Sequence, residues 1–234
     1  AGASGIASAV ERALPSDLRG RSTLLNIADH PALAFFRSVS QVDPASALSL
    51  LGPDALEAVG QHDPSLTFQE LWERPRCDDD LYRAQYVDMK TWLPEVILAK
   101  TGRASMAASL EVRVSLLDHR LLERFAPTPA SYKMQGLRGK RALRRVMRSR
   151  LSPEVLAGKK RGFDTPVGVW LRGPLREELE GCLRALPSGW FSAEALQRVN
   201  GEHQEGKSDH GRLLWSLLVL ERWRTRHEVV GLVG

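Results

Sequence analysis

The sequence predicts a mainly α fold, and three observations carry that expectation. Apolar residues recur at helical spacing through most of the chain, proline and glycine bracket those stretches, and no stretch alternates as a half-buried strand would. No internal repeat is visible either. The 234 residues suit one large domain or two small ones, and 43% apolar with 26% charged residues is ordinary globular composition. There is enough apolar material to bury a core.

Taken in order, residues 1–30 read as a loop-like tail or linker, with Pro15 and Gly20 as breakers. The first ten, AGASGIASAV, lack a basic region ahead of them and do not resemble a signal peptide. A cloning remnant or a mobile tail is expected. Pro31–Ser40 predicts a short apolar helix. Asp43-Pro44 is a helix start, with aspartate as cap and proline at the first helical position, and the helix should end at Gly52. Pro53–Val59 repeats that pattern and stops at Gly60. Ser65–Glu73 is another short helix with Leu66, Phe68, Leu71 and Trp72 facing inward. Across Asp78–Leu93, helical spacing places Leu81, Tyr82, Gln85, Tyr86, Met89, Trp92 and Leu93 together. Pro94 begins a further helix, closed by Gly102. Asp118–Ala126 is helical and ends before Pro127. Lys140–Leu151 follows, with Leu143, Val146, Met147 and Leu151 on one face and arginines on the rest. Pro153–Ala157 should end at Gly158. Pro174–Leu186, Ser192–Gly201 and Ser208–Thr225 complete the set, the last apolar most of the way round and so expected in the core. Residues 229–234 read as a second tail.

Asp78, Asp79 and Asp80 could suggest a metal site, but adjacent carboxylates at a helix start diverge, and the helix dipole favours them there as caps. Cys77 and Cys182, the only two cysteines, lie in no Cys-x-x-Cys pair, so two reduced thiols in a cytoplasmic protein are the expectation. No run of about 18 apolar residues exists to predict a membrane span. His119, His203, His210 and His227 show no ligand spacing and read as surface or satisfied side chains, and no metal site is expected. The net charge of +5 is mild but uneven: Arg138 to Arg150 holds seven Lys or Arg in thirteen residues. Nucleic-acid binding is the natural rival that such a run raises. Against it stand the absence of any reader motif and an aromatic content of only 6%.

The densest stretch is Leu98–Phe125, LAKTGRASMAASLEVRVSLLDHRLLERF. Small residues (Ala104, Ser105, Ala107, Ala108, Ser109) sit beside Arg103, Glu111, Arg113 and Asp118. Small side chains allow close approach of backbone or ligand, and charges among apolar residues are costly to bury unless paired. On the residues alone, a helix with an internal Glu–Arg pair and a ligand site are both open. Further on, Lys159, Lys160 and Arg161 precede Gly162-Phe163. A glycine after a basic run lets a loop turn tightly and present cations to an anion, although a solvated basic loop reads the same way.

Two of these pieces carry a family resemblance. RASMAASLEVRVSLLDHRLLE resembles the segment near the carboxyl end of the synthetase domain of asparagine synthetase-type amidotransferases, where Asp-Arg-x-Ser-Met-x-x-x-x-Glu-x-Arg-Val-Pro-Phe-Leu-Asp is usual. GKKRGFDTPVGVWL, from Gly158 to Leu171, is similar to the family's later Lys-x-Gly-Phe-x-x-Pro-x-x-x-Trp-Leu. The pieces come in the family's order with similar spacing, and the resemblance runs from about Asp79 to Arg226.

The resemblance implies that residues 31–228 are the helical carboxyl-terminal portion of an α/β synthetase domain of the adenine-nucleotide α-hydrolase (ATP pyrophosphatase) type. The central sheet is missing from this chain. It implies ATP and Mg²⁺ as cofactors of the full-length enzyme, with neither expected on this portion alone. Its partners would be a small-molecule carboxylate and the missing glutaminase and nucleotide-binding portions; a homodimer stays open. The activity implied is adenylation of a carboxylate followed by amide formation with glutamine-derived ammonia. Lys160 falls on the family's lysine that contacts pyrophosphate and the oxygen gaining charge in the transition state. Glu111 matches a glutamate that works with a tyrosine as a base in β-lactam-forming relatives. Lys100, Arg103 and Arg113 fall on positions that reach a phosphate or carboxylate, and a structural ion pair is the competing role for Glu111 and Arg113, with Asp118 as a further partner. Phe163, Pro166 and Trp170 read as packing that holds the Lys160 loop.

The sequence also departs from the family. Gly102 replaces an aspartate, Ser115-Leu116 replaces Pro-Phe, Gly158-Lys159 replaces Arg-Pro, and Pro94-Glu95-Val96 lacks a second acid. The carboxylate therefore need not be aspartate. The family's glutamine-hydrolysing cysteine, Ser-Gly-Gly-x-Asp-Ser loop and Gly-Asp-Gly-x-Asp-Glu segment do not occur, so the chain reads as part of a longer enzyme, either cut from it or supplied as a separate piece. A nucleic-acid-binding helical domain and a non-catalytic interaction domain on the same scaffold are the alternatives.

Overall fold

The computed structural model describes residues 30–136, 138–158, 162 and 165–228. The amino-terminal tail, most of the Lys160 loop and the carboxyl-terminal tail expected from the sequence lie outside the described residues.

Helix starts follow local chemistry. Helices α1 (Pro31–Val39), α2 (Pro44–Leu48), α3 (Pro53–Val59) and α4 (Ser65–Glu73) come first. Asp43 caps α2 by accepting the Ser46 N–H at 2.9 Å, with Pro44 at the first position. Asp79 caps α5 (Asp80–Lys90) by accepting from the Tyr82 N–H at 3.1 Å, which is the capping role expected for the acidic run. A π-helical turn over Leu93–Leu98 runs directly into α6 (Ala99–Ala107). After a 3₁₀ turn at Ser115–Leu117 come α7 (His119–Phe125), α8 (Ala130–Lys133) and α9 (Arg141–Val146). Another 3₁₀ turn, Met147–Ser149, precedes α10 (Pro153–Ala157). The remaining helices are α11 (Val167–Arg172), α12 (Arg176–Ala185), α13 (Ala193–Gln204) and α14 (Gly211–Arg226). Among the described residues there is no strand, only isolated bridges at Leu51–Phe191 and Gln135–Arg138. No helix there is long and apolar enough to cross a membrane.

Several helix ends differ from expectation. Gly102 does not stop a helix; it lies inside α6, where a Cβ would meet nothing within 4 Å. A glycine there costs about 1 kcal/mol against alanine, too little to end a helix that its neighbours support. Helix α2 stops at Leu48 rather than Gly52, because Leu50 is drawn out to a tertiary site. Its carbonyl accepts the Ser192 N–H at 2.9 Å, the Gly52 N–H reaches the Trp190 carbonyl at 2.7 Å, and the Leu50 side chain is buried. The basic helix is also shorter than Lys140–Leu151, and Val146 on its supposed inner face is 70% exposed. Trp170 lies in α11, with its ring 6.4 Å from that of Trp215; most of the loop that it is expected to hold lies outside the described residues.

The chain divides into two compact units, each built from two stretches: Ala1–Phe36 with Pro64–Arg161, and Arg37–Asp63 with Gly162–Gly234. In the first unit Ala32, Leu71, Trp72 and Val87 form the core, with Phe35, Phe68 and Tyr86 packed on it. Arg83 ties α5 to the end of α4: Nη1 donates to the Trp72 carbonyl at 3.0 Å and Nε to the Cys77 carbonyl at 2.9 Å. Lys133 is buried but satisfied. Its Nζ donates to Gln85 Oε1 at 3.1 Å and to the Ala126 carbonyl at 3.0 Å, and it lies over the Tyr82 and Phe125 rings.

In the second unit, α11 to α14 enclose Leu171, Leu179, Leu214, Leu217 and Leu218, joined by Leu50 and Phe191. Full burial of each such side chain is worth roughly 1.5–3 kcal/mol. Helices α11 and α14 cross where both present glycine. A Cβ on Gly211 would lie 2.7 Å from the Gly168 Cα, so glycine at 211 allows this approach, and a Cβ on Gly168 would lie 2.8 Å from Asp209 Oδ1. His203 on α13 is fully buried beside that crossing. Its Nε2 lies 3.1 Å from the Gly168 carbonyl, while Nδ1 accepts the His210 N–H at 3.2 Å and faces Arg172 Nη2 at 3.3 Å. The ring is therefore neutral with its proton on Nε2, the satisfied state expected from its lack of ligand spacing. Cys77 and Cys182 are free thiols. Cys182 is buried beside Glu221, and burial pushes its thiol up to about 11.

Candidate functional site

Lys100 and Arg103 stand three residues apart on α6, one helical step on the same side, and both are exposed. Helix α6 ends in a turn that glycine would normally make. Ser109 takes a left-handed conformation at φ 57°, and the Leu110 N–H reaches back to the Ser105 carbonyl at 2.9 Å while the Ser109 N–H reaches that of Met106 at 2.9 Å. A left-handed non-glycine residue costs roughly 1–2 kcal/mol.

From this turn the chain runs without helix or ladder to Val114. Glu111 and Arg113 are two residues apart, which in extended backbone puts side chains on one side. Arg113 Nε donates to Glu111 Oε1 at 2.9 Å. The ion pair expected from the sequence therefore forms, but it is not inside a helix and not buried, the two side chains being 84% and 68% exposed. Leu110, Val112, Val114 and Leu116, interleaved with the pair or just after it, are exposed as well.

Asp118 does not join Glu111 and Arg113. Its carboxylate caps α7 through the Arg120 N–H at 2.9 Å and takes Arg120 Nη2 at 2.9 Å. The Arg120 guanidinium, with that backbone donor, holds the Asp118 carboxyl below its ordinary value. Sequence reasoning missed Arg120, although Asp-x-Arg at a helix start was the available signal. Among the described residues no hydrogen bond or ion pair links Lys100 or Arg103 to Glu111 or Arg113. Lys160 lies outside the described residues. No group of three or more His, Cys, Asp or Glu among the described residues could hold a metal ion.

What the arrangement offers is one carboxylate and three cations on a short helix and the open segment that leaves it. Such a set can pair with an anionic substrate and exchange a proton at Glu111 Oε2, the oxygen not held by Arg113 Nε.

Comparison with known proteins gives this segment its context. The asparagine synthase family model matches residues 8–225. The putative glutamine-hydrolysing asparagine synthetase of Mycobacterium bovis is 36% identical over 157 residues, covering 65% of this chain and 24% of that protein. Glutamine-hydrolysing asparagine synthetase 1 of Bacillus subtilis is 25% identical over 169 residues, covering 70% of this chain and 27% of that protein. The amidase chry2 of Gibberella zeae is 31% identical over 152 residues, 58% of this chain and 23% of that protein. The chain thus spans about a quarter of the length of the curated relatives it matches, with 24% and 27% for the two synthetases. No solved structure matches it. With a family model running through nearly the whole sequence and the Glu111-x-Arg113 segment at its centre, the chain belongs to the asparagine synthase family.

Proposed function

We propose that this chain supplies the helical carboxyl-terminal portion of an ATP-dependent amidotransferase that activates a carboxylate by adenylation. The observation that carries the reading is the family match over residues 8–225, which takes in both the Lys100–Asp118 segment and the Lys160 loop. The exposure of Leu110, Val112, Val114 and Leu116 supports it, since apolar side chains clustered beside an ion pair suit a face that the rest of an enzyme covers.

In the proposed reaction a substrate carboxylate oxygen attacks the α-phosphorus of ATP and the bond to the β-phosphate oxygen breaks, giving an acyl-adenylate and pyrophosphate. Ammonia from glutamine then attacks the acyl carbon, the C–O bond to AMP breaks, and the nitrogen loses a proton. Lys160 stabilises the charge that gathers on the departing pyrophosphate, a role for a fixed cation in a water-poor site. Lys100, Arg103 and Arg113 hold the anionic substrate or its phosphates. Arg113 orients Glu111 through Oε1, so that Oε2 can accept the proton released from the amine. The described residues offer no convergent ligand set for Mg²⁺; the ion would arrive with the nucleotide's phosphates, where it neutralises their charge.

The test is pyrophosphate release by the complete enzyme that contains this chain, with ATP, Mg²⁺, glutamine and a panel of acids including aspartate. Lys160→Ala should lower the rate about 100- to 1,000-fold, the loss usual for one transition-state donor. Circular dichroism should be unchanged. A rate unaffected by the substitution would remove Lys160 from the mechanism.

A further inference from the structure

The first unit carries a concavity distinct in residues from the exposed Lys100–Asp118 segment. Its makers are the tight turn closed by mutual hydrogen bonds between Gln135 and Arg138, at 2.9 and 3.0 Å, and the face of α9 and its 3₁₀ extension. Arg141, Arg144, Arg145 and Arg148 recur at the three- and four-residue steps that share one helical face. With Arg138 and residues of α10 they line a cavity of about 540 Å³.

Five arginines line it, and among the described residues no aspartate or glutamate does. Arg138, Arg145 and Arg148 form no ion pair among those residues. Two of the arginines are held by main-chain carbonyls. Arg141 Nη1 donates to Ser131 at 2.6 Å, and Arg144 donates to Leu156 and, at 3.3 Å, to Gly158. Those bonds fix two cations in place without neutralising them. Arg144 Nε is buried and has no hydrogen-bond partner. A buried donor without an acceptor typically costs about 1–3 kcal/mol, more when it is charged. The site is thus short of both negative charge and acceptor oxygens.

We propose that this cavity binds a small oligophosphate, a compact and multiply charged oxyanion. Guanidinium forks match phosphate oxygens in pairs, and a concave set of five suits two or three linked phosphates better than a single one. Among the described residues no aromatic side chain lines the cavity, so none of them stacks a nucleobase there. That favours a phosphate chain over a nucleic-acid strand, although the same basic run is what raises nucleic acid from the sequence. The cavity would hold such an anion whether or not the parent enzyme adenylates a carboxylate.

The experiment is calorimetric titration of the full chain with sodium tripolyphosphate. One saturable site is expected, with affinity falling about tenfold between roughly 50 and 200 mM sodium chloride. The double variant Arg145→Ala/Arg148→Ala should bind at least about tenfold more weakly while its circular dichroism is unchanged, since both residues are outside the Arg144 latch. Retained affinity in the double variant, or no saturable binding up to about 1 mM, would overturn the proposal. So would a single-stranded oligonucleotide of about 20 bases that binds more tightly than tripolyphosphate and is lost in the same variant.

Discussion

The α11–α14 bundle and the segment between α6 and α7 draw on the same side chains, leucine and valine, and use them in opposite ways. Leu171, Leu179 and Leu214 have no exposure, whereas Leu110 and Leu116 are 62% and 61% exposed. In the bundle, apolar residues return every third or fourth position and meet other helices, so burial drives the structure. In the segment they alternate with Glu111 and Arg113 on non-helical backbone, and a left-handed serine starts the run. The first region is organised for stability. The second presents charges at a surface, and its conformation depends on two hydrogen-bonded ends rather than on a core of its own.

The sharpest way to break that comparison is to truncate one leucine in each region. Leu214→Ala should cost about 2–5 kcal/mol in urea unfolding, because a fully enclosed site cannot collapse around the cavity. Leu116→Ala should change stability by no more than about 0.5 kcal/mol. Equal losses would mean that the open segment is in fact packed.

A smaller effect concerns pH. Burial, and then the Arg172 charge, lower the pKa of His203 from its ordinary 6.5. Asp209 and His210 also face it, and His210 is itself paired with Glu202 at 2.7 Å. Between the folded and unfolded pKa values the unfolded chain binds more protons, so stability rises with pH there. The contribution of neutral His203 is complete above about pH 6.5 and is lost as pH falls through the lowered folded value. Thermal melts across this window should show the decline in the wild type and a shallower one in His203→Gln, which keeps a donor for the Gly168 carbonyl. Identical slopes would show that the bundle does not feel this ring's protonation.

The smallest expected effect is a gain. Ser109→Gly relieves the left-handed turn and should raise stability by about 1 kcal/mol in urea unfolding, net of the freedom glycine adds to the unfolded chain. In the complete enzyme the same variant would sharpen the comparison. If the turn orients Glu111 and Arg113, activity should fall while stability rises; if activity is unchanged, the turn only ends a helix.

Much of the fold was legible because helix starts are local. Asp43, Asp79 and Ser192 each cap a helix through an N–H three residues on, and a reader of the sequence has all the atoms involved. Helix ends and faces were less legible because distant residues decide them. Nothing near Leu50 announces that the Ser192 N–H will take its carbonyl, and nothing in α5 makes Val87, rather than Trp92, the buried residue. At the candidate site the Glu111–Arg113 pair could be read from spacing, since it closes over two residues. Its non-helical backbone and its exposure could not, because both follow from where α6 stops and from what packs around the segment.

Taken by itself, the sequence determined the helical class, the caps, the reduced cysteines and the family, all of which rest on short-range patterns or on motif order. Only the tertiary structure decided that Gly168 and Gly211 meet, that His203 is neutral and enclosed, and that five arginines line one cavity. Those outcomes require residues far apart in the chain, or backbone geometry set by packing, and hydrophobic burial selects among such arrangements without leaving a local mark in the sequence.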